Sequence, residues 1–179
     1  MAVDKYRKPC FDSSVFVGGL KREICNTIKR GVVFEWIWSR AKTGDFRVYI
    51  SAITLAEVYH LRKAQQTSRP LLDEFLDLIN EEFVDVIEVD RETGLLAHKL
   101  CRQYSREKLY PNDAIHLACA LRAGCDVLLA WDHRLLNVNH PDIRIEEPSI
   151  YDRHLFTESE IATKEEIEDY DGKTAADQK

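Results

Sequence analysis

The chain has 179 residues, of which 45% are hydrophobic and 31% charged, with a formal net charge of −6. That length fits one domain with a sizeable core, and no apolar run approaches the roughly 18 residues of a membrane span. The opening MAVDKYRKPC is charged and meets Pro9, unlike the apolar block of a secretory signal, so a soluble cytoplasmic protein is expected. Five cysteines, an odd number with no C-x-x-C pair, speak against a disulfide framework or a structural zinc site and for reduced packing thiols.

In chain order, residues 9–12 form a short apolar run after a proline, read as a first strand. Residues 13–20 are small and apolar, and 21–30 are polar and basic. GVVFEWIWSRAK at 31–42 carries apolar side chains around a helix, with Gly44 as its stop. FRVYI at 46–50 reads as a strand. Thr54 and Glu57 stand at the spacing of a capping box, opening a helix expected to reach about Gln66. Pro70 starts a helix over 70–81 whose apolar residues share one face. A strand is expected at 83–89, a helix at 91–106 and an apolar helix at 112–123 that Gly124 stops. DVLLAW at 126–131 has the continuous apolar run of a buried parallel strand. Residues 143–147 make a weaker edge strand before Pro148.

Strand and helix alternate along the body, which predicts an α/β fold, a three-layer α/β/α sandwich around a central parallel sheet. Residues 1–151 form this domain and 152–179 an acidic C-terminal tail. The tail holds nine acids and four bases, leaving the body near −1, so a local basic patch remains compatible with the overall charge. A short helical signal over 157–170 is expected to be mobile or weakly docked.

Strand polarity then places four acids together. Asp12 ends the first strand, Glu57 lies in the first turn of the helix after the second, Asp113 starts the helix before the fourth, and Asp132 ends the fourth. All four fall on the C-terminal edge of the sheet, where open α/β sheets bind ligands. Four carboxylates in one crevice repel unless a cation joins them, and oxygen ligation suits Mg²⁺ or Mn²⁺. Such an ion clamps phosphate oxygens and activates water for phosphoryl transfer. Each acid also has a local reading: Glu57 in the capping box, Asp113 at a helix N-terminus, Asp12 and Asp132 as turn residues.

The segments FDSSVFVGGL, ISAITLAEVYH and PNDAIHLACALRAGCDVLLAWDHRLL resemble the PIN-domain family, above all its toxin-like VapC branch, across about residues 9–147. The resemblance implies a metal-dependent endoribonuclease, a small antitoxin as partner and a homodimer. It matches Asp12, Glu57, Asp113 and Asp132 to the family's four acids and Ser14 to a hydroxyl near the metal. Where many members carry a further aspartate two positions after the fourth acid, this chain has Arg134, which leaves fewer ligands for a second ion.

The expected chemistry is hydrolysis of RNA phosphodiesters, with Asp12, Asp113 and Asp132 holding the ion and Glu57 sharing it or positioning the attacking water. Ser14 either orients a metal water or phosphate, or caps the following helix. Lys21, Arg22, Lys29 and Arg30 are candidates for RNA binding or a solvated loop, and Arg134 for a phosphate contact. His116 sits one turn after Asp113 on the same face; a packing role weighs above a ligand role. Trp36, Trp38 and Trp131 have core spacing, with base stacking as the alternative. Two rival classes stand beside the nuclease. One is a PIN-fold RNA-binding or scaffold protein without turnover, against which the four acids argue. The other is a metal-dependent phosphatase, which wants D-x-D where this chain has DSS.

Overall fold

The structure, a computed structural model, describes residues 6–25, 27–58, 69–150 and Glu166, with only the backbone at 69 and 70. Pro9–Phe11 forms β1, with the proline at its first position where no ladder hydrogen bond is lost. α1 (Ser13–Leu20) follows, then a hairpin of β2 (Ile24–Cys25) and β3 (Ile28–Lys29), and α2 (Arg30–Lys42). β4 (Val48–Ser51), α3 (Ile53–Glu57), α4 (Arg69–Ile79) and β5 (Val84–Ile87) come next. The chain continues with α5 (Arg91–Gln103), α6 (Pro111–Arg122), β6 (Val127–Leu129), α7 (His133–Leu136) and β7 (Arg144–Glu146).

Five strands form one sheet in the order β5-β4-β1-β6-β7, and every pair in it is parallel. β1 is the central strand. The chain winds outward from it through β4 to β5, then returns to β6 on its other side and ends at β7. The strand order therefore reverses between β1 and β6, and a crevice opens there beyond the strand ends.

Alternation along the strands builds a core on each face. Phe11, Ile50 and Leu129 pack with Phe16, Phe34, Ile37 and Trp38 of α1 and α2. Cys10, Leu128 and Ala130 pack on the opposite face with Leu100 of α5 and Leu117 of α6. This is the three-layer α/β/α sandwich that the alternating pattern predicts. Gly44 (φ +88°) and Gly124 (φ +66°) end α2 and α6 in the left-handed region, the conformation for which glycine is suited. All five cysteines are free.

Several local expectations are corrected. The small apolar run at 13–20, Ser14 included, forms a helix, and the polar, basic run 21–30 contains an antiparallel hairpin that its sequence does not announce. The capping box at Thr54 does not form: α3 has Ala52 as N-cap with no side-chain bond, and Thr54 is fully buried. The rest of the helix expected to run to Gln66 lies outside the described residues beyond Val58, as does the tail helix apart from Glu166. α5 stops at Gln103, three residues short of the expected end. Among the described residues no helix is long and apolar enough to cross a membrane.

Candidate active site

Asp12 leaves β1 with its N–H donated to the Leu129 carbonyl at 2.9 Å, so the first acid is tied directly to β6. Its Oδ2 accepts from the Ser14 N–H at 2.9 Å and caps α1. The side chain is almost fully buried, and its Oδ1 lies 3.4 Å from His116 Nε2. The local and the functional readings of Asp12 therefore coexist, because a carboxylate has two oxygens and the cap uses one.

Glu57 closes α3 after β4. Its Oε1 accepts from Asn112 Nδ2 at 2.8 Å, and its Oε2 is 2.7 Å from His116 Nε2. Burial works to raise the Glu57 carboxyl, but the bond to His116, with smaller help from Ser13 and Asn112, holds it below its ordinary value. His116, on α6, is wholly buried. Burial opposes its charged form, yet Glu57 and Asp12 raise its pKa above the ordinary value. Both partners shift toward an imidazolium–carboxylate pair, which is the direction that matching charges favour. The donor atoms of Asp12, Glu57 and His116 all lie within 4.8 Å of one another.

Asp113 stands in the first turn of α6, which Pro111 opens. Its Oδ2 is buried and accepts no hydrogen bond. Burial first, then the charges of Asp132 and Asp12, push its pKa up to about 6. Asp132 is the N-cap of α7, accepting from the Arg134 N–H at 2.8 Å. The Arg134 side chain then folds back: Nη2 donates to Asp132 Oδ2 at 2.6 Å and Nε to Oδ1 at 3.1 Å. That fork holds the Asp132 carboxyl below the ordinary range. The guanidinium lies over the Tyr110 ring at 4.3 Å, and its Nε is 3.8 Å from Asp113 Oδ2.

Asp12, Glu57, Asp113 and Asp132 line one crevice of about 530 Å³, together with Ser13, Ser14, Tyr110, Asn112 and Arg134. Four carboxylates arrive there from four separate segments of chain. Ser14 does not cap α1, since Asp12 makes that cap; it lines the crevice, and its Oγ accepts the Trp131 N–H at 2.9 Å, which leaves the hydroxyl proton to donate. Lys21, Arg22, Lys29 and Arg30 do not line the crevice. Arg22 pairs with Glu35 at 2.6 Å, and Lys29 with Glu166 of the tail at 2.7 Å. Arg30 pairs with Glu23 at 2.7 Å and lies over the Trp131 ring at 4.7 Å. Trp38 and Trp131 are buried.

Asn112 and Tyr110 were not singled out by the sequence. Asn112 orients Glu57 from the residue before Asp113, and the polar pair Asn112-Asp113 after a helix-opening proline was the available signal. Tyr110 had none, since its role exists only once Arg134 folds over it.

The donor set fits a hard divalent ion. A buried carboxylate oxygen with no donor, in a crevice that three further carboxylates line, is the kind of unsatisfied polar group a cation completes. The class so defined is a doubly wound parallel α/β domain with convergent carboxylates at its topological switch point. The chain belongs to the PIN domain family, whose model matches residues 10–141. Three solved structures are similar in fold. VapBC2 from Rickettsia felis, bound to a DNA fragment from its promoter, superposes with a TM-score of 0.58 at 13% identity, covering 78% of this chain and 97% of that one. DNA-bound VapBC from Salmonella typhimurium gives 0.52 at 18% identity, with 80% and 99% covered. FitAcB from Neisseria gonorrhoeae gives 0.50 at 16% identity, with 78% and 97% covered. No curated protein matches the chain.

Proposed function

We propose that the protein is a divalent-metal-dependent endoribonuclease of the VapC-like branch, hydrolysing RNA phosphodiester bonds. The observation that carries this reading is the convergence of Asp12, Glu57, Asp113 and Asp132 on one crevice, with the Asp113 Oδ2 left without a donor. These four residues would hold Mg²⁺ or Mn²⁺, with the nitrogen of His116 adjacent. The ion, when bound, neutralises charge on phosphate oxygens and acidifies a coordinated water.

The chain's own residues supply orientation and charge. Asn112 and His116 fix the Glu57 carboxylate from two sides, so it presents a base in one position to a water entering the crevice. Asp12 is held by its cap and by β6, so its free oxygen is placed by the sheet and not by a loop. Arg134 and Asn112 line the rim where a phosphodiester would enter. Lys21 and Arg22 just after α1, Lys29 on β3 and Arg30 at the start of α2 extend the RNA path. A small antitoxin protein and a second copy of the chain are the partners this reading carries, and it places the protein in the cytoplasm.

Cleavage of a single-stranded RNA should require Mn²⁺ or Mg²⁺ and stop with chelator. Asp12→Asn should lower the rate by about 100-fold or more, as expected when a charge that organises the reacting centre is lost. Equal cleavage with metal and with chelator would refute the proposal.

A further inference from the structure

We propose that the Arg134 guanidinium is a resident cation that takes the place of a second divalent ion, so that the crevice binds one ion and meets the substrate phosphate with Arg134. This rests on the nuclease reading and divides its site into two halves.

In one half, Asp12, Glu57 and His116 bring three donor atoms within 4.8 Å of one another. In the other, both oxygens of Asp132 are already taken by the Arg134 fork, and Oδ1 also accepts the Arg134 backbone N–H. The same guanidinium approaches Asp113 Oδ2 to 3.8 Å, too long for a hydrogen bond but close enough for one positive charge to serve two carboxylates. A second ion would need those same oxygens, since paired catalytic ions sit roughly 3.5–4 Å apart and share carboxylate ligands. Arg134 and such an ion therefore compete for one place.

The guanidinium is also built to stay. It is held in plane by two bonds to one carboxylate and lies on the Tyr110 ring, the combination of fork and stacking that distinguishes arginine from lysine. Its side chain keeps 43% of its surface exposed, so an anion can reach it from the crevice. Planar bidentate recognition of phosphate is what the guanidinium does well. On this inference Asp132 gives up its place as an ion ligand and acts through Arg134 as a positioning residue, and the divalent ion falls to Asp12, Glu57 and Asp113, with His116 holding Glu57 beside them.

The test counts ions directly. Mn²⁺ bound per chain, read from the loss of the free-ion EPR signal on titration, should be one for the wild-type protein and one for Arg134→Lys, which keeps the charge. It should rise to two for Arg134→Gln, which frees Asp132 and Asp113. Circular dichroism of the three proteins checks that the fold is kept. Two ions in the wild type or in Arg134→Lys, or one in Arg134→Gln, would overturn the role of Arg134 and leave the metal-nuclease reading standing. No ion in the wild type would overturn both.

Discussion

Asp113 shows how a single residue can cost stability to hold a function. Its carboxyl is buried near two other acids and titrates at about 6, against 3.8 for the ordinary group. A raised carboxylate pKa means that the folded state binds the proton more tightly than the unfolded one. Its stabilising contribution is therefore complete below pH ~4 and is lost as the pH rises through about 6. Asp113→Asn, which cannot ionise, should stabilise the metal-free protein at pH 8 by up to about 3 kcal/mol, with the advantage vanishing near pH 4. Thermal melts in chelator across that range measure it, and a constant difference at every pH would refute the buried-charge account. Asp12, Glu57, Asp113 and Asp132 were legible in the sequence because strand polarity alone assigns them to one edge. His116 could be placed on the face of Asp113, yet packing weighed above a ligand role there, because its contact with Glu57 spans 59 positions and leaves no local trace.

Among the elements, α1 shows why a helix can lack a periodic signal in its own sequence. Residues 13–20 are small and apolar, with no polar face to mark a helical period, and five of the eight are buried. The helix is defined by packing, and Gly19 makes that packing close. A Cβ there would lie 2.5 Å from Phe34 Cγ and 2.7 Å from Phe34 Cβ. Gly19→Ala should destabilise the protein by about 1–3 kcal/mol through overpacking, read as a lower denaturation midpoint. An unchanged midpoint would show that α1 and α2 slide apart freely. The hairpin at 24–29 escaped notice for a different reason. Its strands are two residues long, below the length at which alternation can be seen. The Thr54–Glu57 spacing misled in the opposite sense: a local cap was available, but a buried imidazole and the Asn112 amide offered Glu57 better partners across the crevice.

For the whole molecule, charge is divided between a near-neutral body and the tail at −5, counted over residues 152–179. The ion pair of Lys29 with Glu166 places one tail acid on the basic segment proposed above to bind RNA. Removing residues 152–179 should strengthen binding of single-stranded RNA to the Asp12→Asn protein several-fold at low salt, with the gain shrinking as salt screens it. Filter binding at several ionic strengths would show it, and identical affinities with and without the tail would detach it from the substrate path. By itself the sequence determined the alternation of strand and helix, the parallel sheet and the edge on which its acids collect, since these follow from local periodicity and the direction of the chain. Only the tertiary structure decided that β1 is central and that His116 bridges two acids. The same holds for Arg134, folded onto Asp132 over Tyr110 and within reach of Asp113. Most of these depend on contacts between distant segments, such as the Trp131–Ser14 bond across 117 positions, which no local pattern encodes.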